Sequence, residues 1–579
     1  MKLERKSYLV EASLKKYILA SIITTAVTNL NGMIDGILMG NLLGPDALSA
    51  INLCLPVING LVAVYQLLTN GAVMIAARAI GKMDHRRVNE VFTISSVSVV
   101  TAGVLLAALS PILTGFLANA VCIDETLTAL CAKYIRILLL CSSIQMLANC
   151  ISMFIDVSGH PQTVTIDMML GVGMNILCDV IYVRIFHMDI GGAAWATVTG
   201  NMGSLVFFVL FLRKHKGMLK LVAKVANWFK QFGEIVAKGI AGVVSVIAVI
   251  VLQMACNYFV QNACGADGMF VMSVGYSLLG VSNMVANGVG MAFTAIGGML
   301  MGQKDYHGVR ILFRRGMLLS MATSLVFVLI SCLLPRQVAG LFGAEEEELL
   351  KLCAKGIPFI SAFVLALTSL VPLASHYQVI GKFTLATVSY ITGISSVLVS
   401  FVITGTEHVW LTFPLACGLT VVIVLGAAVV TRYISREKLL PISLIPATAG
   451  KIERYDISVE CREEEIPKAI DGLREYLDAI GVGKKSGAVC VCIEEMLLNI
   501  VQHSDISSGR SVDLLVLKEG NELSALLKDN GMAFDPTDVP EEKLGAGLHL
   551  ARHYSDKLNY SYTFGQNMTN MKWMLEEEK

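Results

Sequence analysis

Charged side chains are scarce in this chain, and the scarcity is local. Lys, Arg, Asp and Glu supply 16% of the 579 residues, and mean hydropathy is +0.66. A soluble domain carries about 25% charged residues. Residues 1–450 hold 30 Lys and Arg against 21 Asp and Glu, while residues 451–579 hold 15 against 24. The formal net charge of zero therefore conceals a basic, apolar body (+9) and a small acidic tail (−9). A wholly soluble protein is excluded: the body reads as a membrane domain and the tail as a soluble one.

Further absences narrow the field. The fourteen cysteines form no pair of CxxC motifs and fall mostly in apolar runs, so they read as core residues and not as metal ligands. The opening MKLERKSYLVEASLKKY is charged and has no small-residue cleavage site after a short apolar core, so no cleaved signal peptide is expected. No GxxxxGK[ST] phosphate loop occurs, which disfavours an ATP-driven pump of that class. No histidine lies between His408 and His503, where a receptor histidine kinase would carry its phosphoacceptor. No nucleic-acid partner is expected.

What the body does contain is about twelve apolar runs, each near the ~20 residues that a bilayer-spanning helix needs. They cover 15–39, 51–80, 91–118, 131–157, 163–185, 192–213, 239–262, 270–300, 315–340, 350–375, 385–404 and 411–433. The expected fold is an all-α polytopic membrane protein followed by a soluble α+β sandwich. Its parts are a first six-helix bundle (1–220), a second (221–434), a linker (435–450) and a tail domain (451–579). One set of connections is basic, among them 81–90, 213–224, 302–310 and 431–438; the other, around 121–126, 262–268 and 343–348, carries acid. Positive loops stay in the cytoplasm, so both termini are expected there, in a multi-pass inner (plasma) membrane of the bacterial type.

The two halves repeat. GKMDHRRV starts at Gly81 and GQKDYHGV at Gly302; LCAK occurs at 130–133 and at 352–355; Gly159 and Gly381 each follow an apolar run. The offsets are 221 or 222 residues. Two bundles of like sense, related by an axis along the membrane normal with a cleft between them, are the architecture of an alternating-access carrier.

A carboxylate within hydrocarbon is costly and usually functional. The first half places Asp35, Asp156, Asp167 and Asp179 in or at the edges of its runs; the second half has no acid well inside any. Asn175 and Asp179 lie four apart, on one helical face. Carboxylate and amide oxygens suit Na⁺, and a buried carboxylate suits H⁺. The simpler role, polar contacts between helices, fits Asp156 and Asp167 better. In the second half, Gln253, Asn257 and Gln261 recur every fourth residue, as do Asn283 and Asn287; they either line the cleft or bond neighbouring helices.

IDGILMGNLLGPDALSAINLCLPV (34–57), GAVMIAARAIGKMD (71–84) and NILCDVIYVRIFHMDIGGAAWATV (175–198) resemble the signatures of the multidrug and toxic-compound extrusion (MATE) transporters, over about residues 10–435. The resemblance implies export of organic cations and drugs, coupled to Na⁺ or H⁺. It also implies a cation site at Asp35, Asn175, Asp179 and Thr197.

After the proline-containing linker the pattern becomes mixed α/β. Strands are expected at 455–460, 511–520, 522–531 and 562–575, and helices at 464–481, 487–504 and 547–558. Three polar islands interrupt this scaffold: Glu495, Asn499 and His503 along one helix face, DNGMAFDP (529–536), and KLGAGLHLA (543–551). Glycines at a helix start let backbone N–H groups approach phosphate. An Asn oxygen suits Mg²⁺, and a strand-end carboxylate can accept from an adenine amine. The islands resemble the GHKL ATP-binding domains, and the tail in its compactness resembles the anti-sigma-factor serine kinases. The resemblance implies ATP with Mg²⁺ held by Asn499, adenine read by Asp529 with Gly531 in its turn, phosphates cradled by Gly545 and Gly547, and Glu495 as catalytic carboxylate. The family's DxGxG pattern is broken here by Ala533. Hydrolysis and serine phosphotransfer both stay open, and a cytoplasmic regulatory protein is a candidate partner. The alternative readings are a lipid or polysaccharide flippase of the same superfamily, whose members often carry cationic clefts, and a membrane receptor with an ATP-dependent kinase output.

Overall fold

A computed structural model describes residues 4–43, 45–122, 125–215, 218–342, 344–435, 439–446, 453–503, 511–540 and 546–575. The body is helical throughout. Its first half comprises α1 (Tyr8–Leu43), α2 (Pro45–Leu53), α3 (Leu55–Gly81), α4 (His85–Val121), α5 (Glu125–Leu140), α6 (Ser142–Val157), α7 (Pro161–Val180) and α8 (Ile190–Lys214). Its second half comprises α9 (Trp228–Gly265), α10 (Asp267–Gly302), α11 (Tyr306–Leu333), α12 (Pro335–Leu341), α13 (Glu347–Val379), α14 (Phe383–Thr404) and α15 (Thr412–Ile434). Among the described residues ten helices are long and apolar enough to cross a bilayer, or eleven if α5 and α6, bent by 56°, form one broken span. α1 adds a further 36-residue helix over the first expected run. The run expected at 315–340 is divided, because Pro335 starts a separate short helix after Leu334.

The repeat is visible in the backbone. Met83 and Lys304, at matching places in the two motifs, both adopt left-handed φ (56° and 58°), and the following Asp84 and Asp305 each cap a helix. Asp84 accepts from the Arg87 N–H at 3.0 Å, and Asp305 from the Gly308 N–H at 2.8 Å. The two motifs also meet. A methyl group on Gly81 would fall 2.0 Å from the Met299 carbonyl oxygen, and one on Gly302 2.2 Å from that of Arg78. One turn or more deeper, Gly71 abuts the Ile235 carbonyl and Gly239 abuts that of Leu67. The Arg78 guanidinium donates to the Val379 carbonyl. These contacts bring α3 of the first half against α9, α10 and α13 of the second at one end, here termed the basal end.

The tail packs three helices, α16 (Ile466–Ala479), α17 (Ser486–His503) and α18 (Ala546–Tyr554), on one antiparallel sheet of order β1-β2-β3-β5-β4. The strands are β1 (Glu453–Glu460), β2 (Ser511–Glu519), β3 (Glu522–Asp529), β4 (Lys557–Thr563) and β5 (Gln566–Met574). α18 stops at Tyr554, three residues before β4, so the expected helix 547–558 is shorter than its run. Period-2 alternation sends Val512, Leu514, Val516, Leu523, Ala525, Leu527, Met571 and Trp573 into the core beneath the helices. The sheet's other face is not open to water. Leu515, Leu517, Leu526 and Met568 join the apolar cluster of the body, so the tail lies on the basal end.

Candidate functional site

Three places collect the expected site residues. The first is in the first half. Asn175 and Asp179 sit one turn apart on α7, 6% and 0% exposed. Both amide atoms of Asn175 are buried without a hydrogen-bond partner among the described residues. A buried amide in that state costs about 1–3 kcal/mol unless a ligand or water satisfies it. Gly200 of α8 lies against Asn175, close enough that a methyl there would meet the Asn175 Cβ at 3.6 Å. Thr197, one turn earlier on α8, is half-buried and donates its hydroxyl to the Ala193 carbonyl at 3.2 Å, leaving its oxygen lone pairs available. Asp35 falls within α1, but its side chain lies outside the described residues. α1 does pack along α7, where the Thr24 and Thr165 hydroxyls are 2.8 Å apart. Asp156 receives the Tyr17 hydroxyl, a bond between α6 and α1 of the kind that ties helices together.

The second place is the cleft. A cavity of about 420 Å³ opens between α3 and the second half. Asn283 and Asn287 of α10 line it, with Asn59, Ser245 and Tyr390 among apolar neighbours. Among the described residues its lining includes no charged side chain. Gln253, Asn257 and Gln261 stay outside that lining: Gln253 and Gln261 are exposed, and Asn257 accepts from the Tyr276 hydroxyl at 3.1 Å. The sequence reading missed Asn59. It stood in the run 51–80 as a polar residue inside an apolar stretch, and that was the available signal.

The third place is in the tail. A cavity of about 160 Å³ lies between α17 and the sheet, lined by Met496, Asn499, Asp529, Ala533, Asn567 and Thr569 together with other apolar residues. Asp529 ends β3 and is 4% exposed. Its Oδ1 accepts the Gly531 N–H and the Asn567 Nδ2–H, each at 2.8 Å. Burial raises its carboxyl above the ordinary range, and the Asn567 and Gly531 bonds pull it part of the way back. Asn567 in turn accepts from the Tyr560 hydroxyl at 2.6 Å and the Phe534 N–H at 3.2 Å. Asn567 is therefore a site residue that no motif announced, because strand β5 carries it on alternation alone. Glu495 is half-buried one turn before Asn499 and does not line the cavity. Gly545 and the side chain of His503 lie outside the described residues; Gly547 is in the first turn of α18. A buried carboxylate at a strand end, a helix Asn across the cavity and a glycine turn between them form a donor and acceptor set that fits a nucleotide base. Asn499 is the residue that would hold Mg²⁺, which would neutralise phosphate charge.

Comparison with known proteins agrees with both parts. The MatE family model matches residues 20–181 and 242–404, and the model described as a histidine kinase-like ATPase domain matches 459–573. A multidrug export protein MepA of Staphylococcus haemolyticus is 27% identical over 267 residues, which are 45% of this chain and 59% of that protein. The chain thus spans under two thirds of that relative. The probable multidrug resistance protein YoeA of Bacillus subtilis is 22% identical, over 58% of this chain and 74% of its own. An outward-facing MATE transporter of the MOP superfamily superposes at TM-score 0.65 and 20% identity, covering 73% of this chain and 97% of that one. A MOP superfamily transporter from Pyrococcus furiosus superposes equally well, at 0.65 and 20%. With two stretches of its membrane body matched in order and the fold superposed, this chain belongs to the MatE family and carries a histidine kinase-like ATPase domain at its C-terminal end.

Proposed function

We propose that the protein is a cation-coupled antiporter that exports organic cations by alternating access, with a cytoplasmic domain that binds ATP. The two transport bundles are residues 1–220 and 221–434, joined through 435–450 to the tail at 451–579. Both termini face the cytoplasm, which makes the basal end the cytoplasmic one; the basic loops at 81–90 and 302–310 support this. The observation that carries the reading is the buried pair Asn175 and Asp179, whose amide atoms on Asn175 lack partners among the described residues. Together with Asp35 and Thr197 this pair would take up Na⁺ or H⁺ from one side and release it to the other. A solute in the cleft, beside Asn283 and Asn287, is expelled in exchange. The tail acts as a regulator or a serine kinase, with Asp529 reading the base and Asn499 on the metal side.

The test is flux in proteoliposomes under imposed Na⁺ or H⁺ gradients, with and without Mg-ATP. Asp35→Asn and Asp179→Asn should abolish gradient-driven flux, and Asn499→Ala should leave flux without ATP unchanged. Flux that requires ATP in the absence of any ion gradient overturns the antiporter reading.

A further inference from the structure

The sheet of the ATPase-like domain touches both halves of the carrier at once. Toward the first half, the Gln566 amide donates to the Leu9 carbonyl and the Ser13 hydroxyl, each at 2.9 Å, and the Ser13 hydroxyl donates to the Phe564 carbonyl at 3.1 Å. The rings of Phe564 and Tyr17 meet edge to face at 5.7 Å. Toward the second half, Lys528 pairs with Asp305 at 2.6 Å, the Gln303 amide donates to the Met568 sulfur at 2.9 Å, and Arg454 lies over the Tyr306 ring. Lys304 pairs with Glu519. Between these contacts runs the segment before α1. Its Arg5, whose side chain is 3% exposed, meets Asp305 at 3.0 Å, Asp456 at 3.3 Å and Asp513 at 2.9 Å. The Lys6 N–H donates to the Ser458 hydroxyl at 2.8 Å. The linker is fastened as well, since the Tyr377 hydroxyl donates to the Ile442 carbonyl at 3.0 Å.

The strand ends that make these contacts also make the nucleotide cavity. Lys528 and Asp529 are successive residues of β3, and Gln566, Asn567 and Met568 are successive residues of β5. Alternation turns Lys528, Gln566 and Met568 to the carrier, and Asp529 and Asn567 to the cavity. The turn after Asp529 reaches the carrier directly, for Asn530 donates to the Tyr8 hydroxyl at 3.3 Å.

An alternating-access carrier must separate its halves at the basal end in one of its two states. A single hydrogen-bonded sheet attached to both halves opposes that separation. We infer that the tail is a cytoplasmic clasp: its sheet, keyed by Arg5, Asp305 and Lys528, holds the carrier closed at the basal end, and a nucleoside triphosphate in the cavity tightens the clasp and slows transport. The inference rests on the carrier and ATP-binding readings above. Its sign follows from the state described: the basal end is closed, the sheet is docked and the Asp529–Asn567 network is complete in the same arrangement. A ligand that binds this arrangement better than one in which the sheet is released stabilises it by that difference in affinity, and the strands shared by cavity and carrier, with the Asn530–Tyr8 contact, supply the coupling.

The experiment uses the full chain in lipid nanodiscs and proteoliposomes, with a non-hydrolysable ATP analogue and Mg²⁺. Amide hydrogen exchange is followed at residues 4–9 and 303–308, and flux is measured in parallel. The analogue should slow exchange at both segments and lower flux, each at least fivefold, in the unmodified chain. Arg5→Gln should remove both effects while the analogue still binds. Gln566→Leu, which leaves no charge stranded, should halve them or more and guards against misfolding of the first variant. A bound analogue that changes neither exchange nor flux overturns the clasp. An analogue that does not bind at all overturns the ATP reading and the clasp with it. Should no gradient drive flux, the carrier reading fails, and the exchange result alone decides the clasp.

Discussion

The Asp529 carboxylate shows how much one side chain can organise. It closes β3, orders the following turn through Gly531 and fixes Asn567 on the adjacent strand. Asp529→Ala should weaken binding of a fluorescent ATP analogue by 10- to 100-fold, about 1.4–2.8 kcal/mol, and free one Asn567 Nδ2–H while the other stays on the Met532 carbonyl. Fluorescence titration of the full chain checks it, and an unchanged affinity would move the base-reading role elsewhere. The carboxylates under the tail respond to pH in opposite senses. Burial lifts Asp513 to about 6 against the pulls of Arg5 and Ser458. Burial also pushes Asp305 upward, but Lys528 and Arg5 together hold it well below the usual carboxylate range. Between pH 7 and about 4 the docked form takes up a proton at Asp513 that a free carboxyl of ordinary pKa 3.8 would not, so docking strengthens as pH falls. Below about 4 the Asp305 contribution is lost and docking weakens. Exchange at residues 4–9, corrected for intrinsic rates, should therefore be slowest near pH 4 and not at pH 7.

At the scale of elements, the helices were legible because apolar runs of this length have one stable form in a bilayer, and the repeat was legible because it recurs at one offset. The close approach of the halves was not. Gly71, Gly81, Gly239 and Gly302 are ordinary glycines in sequence, and only their positions on crossing helices show that backbone lies where a side chain would be. Gly239→Ala would place a methyl 2.1 Å from the Leu67 carbonyl oxygen, so α3 and α9 must part. It should destabilise the body by about 1–3 kcal/mol, read as an earlier thermal transition with a dye that reacts with the buried cysteines as they emerge. Gly115→Ala, with nothing within 4 Å of the added methyl, should not shift the transition downward. The tail sheet carries a signal of its own. Strand β2 reads SVDLLVLKE, apolar on both faces for most of its length, which marks a strand covered on both sides. What covers the second face could not be read, because the partner is 200 residues or more away in sequence for Asp305 and about 500 for Arg5. Of the proposed cation site, the α7 pair follows from helical spacing, whereas the α8 side at Gly200 and Thr197 depends on how two helices pack.

For the whole molecule, the open question is whether the tail acts on the carrier through binding or through covalent chemistry. Binding has a property that chemistry lacks. If a nucleotide in the tail and a solute in the cleft both favour the docked, basal-closed arrangement, each must change the other's affinity by the same factor, because the two routes to the doubly bound state have equal free energy. The cleft cavity and the tail cavity coexist in the docked arrangement, so the factor should favour binding in both directions. A fivefold coupling, about 1 kcal/mol, is enough to measure. Titration of an organic cation with and without the ATP analogue gives the factor once, and titration of the analogue with and without the cation gives it again. Arg5→Gln, which unties the three carboxylates that Arg5 joins across the tail and the carrier, should take both factors to one. Phosphotransfer would leave a different trace: an effect that needs hydrolysable ATP, grows with time and survives removal of nucleotide. Matching factors above one with the non-hydrolysable analogue are expected, and factors of one in both titrations would show that the tail does not work as a clasp.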